Sequence, residues 1–143
     1  MPSTVRVSPI DLVTTIRRLD SPPSWIDAYA SHDDGKTWSF LSTPEHDTGE
    51  GNPPSLNRLP DGRLCLIYGR RGRPFGIYAR FSSDQGKTWS KPLSLRDDGG
   101  GRDIGYVRSI IRPDGNVVAV YYYHDSQNSE RYLAATTWNP TKP

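Results

Sequence analysis

Two eight-residue segments of this 143-residue chain are near copies: Ser31-His32-Asp33-Asp34-Gly35-Lys36-Thr37-Trp38 and Ser82-Ser83-Asp84-Gln85-Gly86-Lys87-Thr88-Trp89. Both read Ser-x-Asp-x-Gly-Lys-Thr-Trp, 51 positions apart (33 to 84). A second landmark, Pro60-Asp61-Gly62 and Pro113-Asp114-Gly115, recurs after 53 positions (61 to 114), and Pro9 precedes Pro60 by one such step. Independent markers with a shared period of about 52 residues identify a chain built from a repeated unit, and such units bury their apolar faces by stacking on one another.

Within one unit the residues read as four short strands. Ser55–Leu59 leads into the Pro-Asp-Gly turn, and Arg63–Gly69 follows as a largely apolar run. Gly76–Phe81 comes next, then the Ser-x-Asp-x-Gly turn, then Thr88–Leu95. The following unit supplies Tyr106–Arg112, Asn116–Tyr123 and Arg131–Trp138; the preceding one supplies Leu12–Arg18, Trp25–Ser31 and Trp38–Ser42. Tyr, Phe, Ile and Leu recur in these runs, turn formers bound each one, and no segment carries a helical period. The 13 glycines and 13 prolines leave no long stretch unbroken, which suits short strands and many turns. Four antiparallel strands per unit of roughly 40–50 residues is the pattern of a β-propeller blade. The expected fold is therefore all-β: about three four-stranded antiparallel blades in a single partial propeller spanning 1–143, divided near 4–50, 51–103 and 104–140. The third blade shows neither a fourth strand nor the turn motif.

The repeated turn has a structural logic. Its Asp carboxylate can accept backbone N–H bonds across a tight turn, Gly permits positive φ, and Trp packs between sheets. Ser31, Asp33, Gly35, Thr37 and Trp38, with Ser82, Asp84, Gly86, Thr88 and Trp89, are thus folding residues rather than catalytic candidates. A lone cysteine, Cys65, excludes an internal disulfide and a cysteine-based zinc site, and its apolar surroundings make it a core residue. His32, His46 and His124 stand at no metal-ligand spacing, and Asp97-Asp98-Gly99-Gly100-Gly101-Arg102-Asp103 lacks the spacing of a calcium loop. That segment reads as a flexible loop between blades, with Asp103 able to face a site. No phosphate-cradling glycine loop or serine-nucleophile elbow is found, so neither a metal nor a cofactor is expected. A net charge of +2 gives no argument for nucleic acid, while a pI near 8.8 tolerates an acidic ligand. No run approaches the roughly 20 apolar residues of a membrane span, and Met1–Ser8 lacks a basic start followed by an apolar stretch. The expectation is a soluble protein, cytoplasmic by default.

The repeated turn resembles the Asp-box, or bacterial neuraminidase repeat, of the sialidase superfamily, and the likeness runs from about Leu12 to Pro140. Gly51-Asn52-Pro53-Pro54-Ser55-Leu56, Leu95-Arg96-Asp97-Asp98-Gly99-Gly100, Gly105-Tyr106-Val107-Arg108-Ser109 and Glu130-Arg131-Tyr132-Leu133-Ala134-Ala135-Thr136 are similar, more narrowly, to bacterial exo-α-sialidase-like proteins. Those relatives are six-bladed propellers that hydrolyse terminal sialic acids from glycoconjugates, so the resemblance implies about half a propeller and an anionic-glycan ligand. It further implies a site in which three arginines clamp the sugar carboxylate, a tyrosine acts as nucleophile with a glutamate as base, and an aspartate serves as acid/base. A neutral phenol suits an anionic sugar, which would repel a carboxylate nucleophile. Carried over by position, Tyr106 takes the nucleophile's place at the inner end of a first strand. Arg70 and Arg73 lie near the second and third clamp arginines, each one position from the family spacing, with Arg71 in the same loop. Arg108 is a further candidate for anion contact.

The departures are equally specific. Pro53 follows Asn52 where the base glutamate would stand, with Glu50 nearby. The first clamp arginine and the acid/base aspartate belong to earlier blades. The resemblance therefore implies a sialidase-like protein that is incomplete or inactive as a single chain. The other reading is a non-catalytic carbohydrate- or protein-binding module, or a self-assembling propeller fragment. Half a ring also leaves two blade faces bare and terminal strands unpaired. Two copies closing head-to-tail into one six-bladed ring would cover them, with Thr4–Val7 supplying the partner's missing edge strand.

Overall fold

The structure, a computed structural model, describes residues 1–141; the last two positions of the expected 1–143 unit lie outside them. Eleven strands and, among the described residues, no helix make up the chain. The first sheet holds β1 (Pro2–Arg6), β2 (Leu12–Arg18), β3 (Trp25–Ser31) and β4 (Ser39–Glu45). The second holds β5 (Ser55–Arg58), β6 (Leu64–Arg70), β7 (Gly76–Ser82) and β8 (Leu93–Arg96). The third has only β9 (Gly105–Ile111), β10 (Val117–Tyr123) and β11 (Tyr132–Trp138). Each is an antiparallel meander in chain order, and the first strands, β1, β5 and β9, pack side by side. The chain is three blades of a β-propeller. No helix of the described residues is long and apolar enough to cross a membrane.

Burial follows from the stacking. In the middle blade every residue of β6 but the last is buried, because sheets cover both its faces. In the third blade β11 alternates between half-buried and exposed, as a strand covered on one side must. Val13 and Ile26 of blade 1 meet Leu56, Leu64, Leu66 and Tyr68 of blade 2. On its other face blade 2 sets Cys65, Ile67, Ile77 and Ala79 against Val107, Val117, Ala119, Tyr121 and Tyr123. Burial pushes the Cys65 thiol up to about 12, so it behaves as an inert core group. Between blades 1 and 2 the Arg80 guanidinium bonds Glu45 Oε2 through Nε (3.1 Å) and Nη2 (2.9 Å), and the Tyr68 hydroxyl donates to the same oxygen.

The two repeated turns are built alike. Ser31 Oγ donates to Asp33 Oδ1 (2.8 Å) and accepts from the Gly35 amide (2.8 Å), while Asp33 accepts from the Thr37 amide (2.9 Å) and hydroxyl (2.6 Å). Ser82, Asp84, Gly86 and Thr88 repeat these bonds at the same four distances. Asp34 and Gly35 have φ of 62° and 86°, and Gln85 and Gly86 have 61° and 92°, so glycine stands where the chain turns left-handed. Hydrogen bonds, chiefly from Thr37 and Thr88, hold both carboxyls down at about 2.

Three strand expectations are corrected. Thr4–Val7 is not free to complete a partner's blade: β1 pairs with β2 from Pro2↔Ile16 to Arg6↔Leu12, and Val7 N donates to Asp11 O (2.9 Å) across the turn. A hairpin this short closes at little entropic cost, so the nearest edge takes the strand. The strand expected over Thr88–Leu95 begins only at Leu93, because Trp89 folds back onto its own turn and Pro92 has no N–H to give a ladder. β4 runs past the expected Ser42 to Glu45, crossing Pro44, which an edge strand tolerates. Antiparallel alternation sends both repeated turns and the Pro-Asp-Gly turns to one end of the blades. The β4–β5, β6–β7, β8–β9 and β10–β11 loops gather at the other.

Candidate functional site

At that loop end, blades 2 and 3 are joined by one fully buried side chain. Asn52 Oδ1 accepts from the Tyr106 amide (2.9 Å) and its Nδ2 donates to Ile104 O (2.8 Å). Gly105 (φ 113°) passes so close that a Cβ there would fall 2.0 Å from Asn52 Nδ2. The β9–β10 ladder slips at this point, from Val120↔Arg108 to Tyr122↔Gly105. Tyr106 is thrown out as the bulge, exposed and held at φ 52°, a left-handed value uncommon for a bulky residue.

Around Tyr106 stands a connected polar surface. The Arg71 guanidinium lies 5.4 Å from the Tyr106 ring centroid, and the Tyr122 ring lies 5.9 Å from the same ring. Arg71 donates to the Tyr122 hydroxyl (2.6 Å) and to Ile104 O (3.1 Å); Tyr122 donates onward to Asp103 Oδ1 (2.8 Å), whose other oxygen accepts from Arg131 Nε (2.9 Å). Burial, then the Asp103 contact, raises the Tyr122 phenol, and the Tyr122 hydrogen bond lowers Asp103. Arg102 grips both oxygens of Glu50 (2.6 and 2.8 Å). Glu50, Arg71, Arg102, Asp103 and Arg131 line an open cavity of about 490 Å³ together with His124, and the Tyr106 and Tyr122 rings adjoin it through Arg71. His124 is buried, and its Nε2 is left without a hydrogen-bond partner among the described residues.

Of the four residues expected from sequence, Tyr106 is central to this surface and the others are spread around it. Arg70 is turned away to Asp47 Oδ2 (2.9 Å), and its Nε is buried without a partner among the described residues. Arg73 is exposed, with its guanidinium 5.4 Å from the Phe75 ring, and does not line the cavity. Arg108 lies two residues along β9, bonding Val107 O (3.0 Å) and reaching Met1 Sδ (3.9 Å). Arg71, not Arg70, faces the tyrosine, since successive residues of an extended chain point to opposite sides. Arg131, Tyr122, Asn52 and His124 were not assigned to a site from the sequence because they come from separate segments; the local signals were the crowding of three arginines and Asp103 in the β8–β9 loop. Among the described residues no carboxylate hydrogen-bonds the Tyr106 hydroxyl. The tyrosine–glutamate bond that does exist, Tyr68 to Glu45, is buried at the other blade junction and closed to a substrate. Among the described residues no three His, Cys, Asp or Glu side chains are gathered as a metal ion would require.

No family profile matches the chain, and neither does any curated protein. Solved structures do. A protein of unknown function from Dyadobacter fermentans is 28% identical, with a TM-score of 0.74, over 95% of this chain and 36% of that one. An ulvan lyase, a polysaccharide lyase bound to -[GlcA(1-4)Rha3S]-, is 14% identical with a TM-score of 0.69, covering 96% of this chain and 38% of that one. A fucose lectin from Kordia zhangzhouensis, in complex with methyl-fucoside, is 12% identical with a TM-score of 0.65, covering 99% of this chain and 94% of that one. The chain thus spans under two-fifths of the first two and nearly all of the third. It shares its propeller fold with carbohydrate-active hydrolases, a lyase and a lectin.

Proposed function

We propose that this chain recognises an acidic glycan, without hydrolysing it on its own, at the surface formed by Tyr106, Tyr122 and Arg71. The observation that carries this reading is the state of Arg71. The cavity's other two arginines are matched to carboxylates, whereas the hydrogen bonds of Arg71 go to a hydroxyl and a carbonyl. A half-buried guanidinium beside two aromatic rings offers a planar fork to a carboxylate or sulfate and an apolar platform to a sugar ring. The buried imidazole of His124, whose Nε2 has no hydrogen-bond partner among the described residues, supplies a further polar contact at the cavity wall. Calorimetric titration with sialyllactose and with a glucuronate disaccharide, lactose serving as the neutral control, tests it. Binding of an acidic sugar but not of lactose is expected, weakened roughly tenfold or more by Arg71→Gln, since a charge-assisted hydrogen bond contributes about 1.5–3 kcal/mol. Acidic and neutral sugars binding alike would defeat it.

The second reading is sialidase chemistry, in keeping with the likeness to Asp-box proteins, with Tyr106 as nucleophile and Arg70, Arg73 and Arg108 as anion contacts. The exposed, strained backbone of Tyr106 favours it; Pro53, the capture of Glu50 by Arg102 and the scattering of those arginines disfavour it. Turnover of a fluorogenic sialoside that Tyr106→Phe abolishes would establish this reading over the first.

A further inference from the structure

Blade 2 defines what a covered face of this chain contains. Leu64 pairs with Ser82 as Val117 pairs with Trp138, so Val118, Val120, Leu133 and Ala135 occupy in blade 3 the positions of Cys65, Ile67, Ile77 and Ala79 in blade 2. Those four are fully buried against the next blade. Their blade 3 counterparts are also apolar, yet Leu133 is 81% exposed, and Ile110 beside them on β9 is 64% exposed. At the other end of the chain, Trp38 holds the place of Trp89, whose indole donates to Ser42 of the preceding blade (3.2 Å). Among the described residues no blade lies against Trp38: it and Phe40 are 41% and 60% exposed, and Trp38, Ile16 and Tyr29 line a mostly apolar hollow of about 380 Å³. Two apolar faces of this extent are a liability in isolation.

We propose that these two faces are one interface, made between two copies of this chain: blade 3 of each copy docks on blade 1 of the other, closing a six-bladed ring about a twofold axis. The argument is continuity with the packing already present. The junctions of blades 1 with 2 and 2 with 3 both join an apolar leading face to the next blade's trailing face, and the bare faces are the remaining leading and trailing faces of the same series. Three blades and three blades make a ring in which this third kind of junction, blade 3 on blade 1, is formed twice. A solved lectin chain with this fold is matched over 94% of its own length, so the fold is also carried by a chain of about this size. Tyr106 and Tyr122 lie at the loop end of the blade 3 face, so the second copy would wall the open side of the candidate site. The pairing itself does not depend on what binds there.

Sedimentation equilibrium of the full chain tests the pairing, with a mass twice that of the 16.0 kDa chain expected. Leu133→Asp and Phe40→Asp change exposed side chains, so circular dichroism should be unaltered while each variant sediments at the mass of one chain. Mixing the two variants should recover paired molecules, because the Phe40→Asp copy keeps an intact blade 3 for the intact blade 1 of the Leu133→Asp copy. A wild-type mass of one chain overturns the proposal. So does a pair that survives Phe40→Asp but not Leu133→Asp, which would mean blade 3 on blade 3. A paired protein that binds no acidic sugar leaves this proposal standing and removes the glycan reading alone.

Discussion

Trp38 and Trp89 close the same turn and donate to the same turn glycine carbonyl at the same distance, 3.1 Å, yet one rests on a neighbouring blade and the other on solvent. Ser42 Oγ donates to Gly86 O, and a Cβ on Gly86 would meet Leu41 (3.1 Å) and Val13 (3.4 Å) of blade 1, whereas Gly35 has only its own blade nearby. The difference separates two sources of order. Hydrogen bonds inside the turn are fixed by its own eight residues. What the tryptophan contributes is fixed by which sheet lies beside it.

The seam that covers Trp89 should break most visibly at its ion pair. Glu45→Ala strands the half-buried Arg80 and the buried Tyr68 hydroxyl and is expected to cost about 3 kcal/mol in denaturant unfolding, the low end for buried pairs that lose one partner. A cost below about 1 kcal/mol would show that the blade 1–blade 2 junction does not carry the fold. Next in size, Trp89→Ala should destabilise by about 2–3 kcal/mol, below the usual range for a fully buried ring because Trp89 is half-buried. Trp38→Ala in a Leu133→Asp background, which keeps the chain single, should stay within about 0.5 kcal/mol. Equal losses would erase the contrast between covered and bare turns. The smallest effect sharpens the other half of the comparison. Asp33 and Asp84 are both held at about 2, below the ordinary carboxylate value of 3.8, so each stabilises the fold fully above about pH 5 and loses that contribution as pH falls through 3.8 toward 2. Asp33→Asn and Asp84→Asn should therefore flatten the acid limb of a stability-against-pH curve by the same amount, despite their different neighbours.

The repeat made the blades legible, because its turn residues act on their nearest neighbours in the chain. Ser31, Asp33 and Thr37 bond within seven positions of one another, which is why their roles could be stated from sequence. The edges were harder to read. Thr4–Val7 looked available to a partner because, of the repeat's Pro-Asp-Gly turn, its own hairpin keeps only Pro9. The candidate site was mostly illegible. Asn52 meets Ile104 and Tyr106 across more than 50 positions (52 to 104 and 106), and Arg71 meets Tyr122 across 51 (71 to 122), so these pairs exist only once blades 2 and 3 have docked. Whether Arg70 or Arg71 faces the tyrosine is decided by the strand-end alternation at β6, and a one-residue difference there reverses the answer.

A crystal of the chain grown with sialyllactose tests the central claim most directly. The account expects the sugar on the Tyr106 and Tyr122 rings with its carboxylate on the Arg71 guanidinium; sugar seated elsewhere, or an empty cavity under saturating ligand, would contradict it.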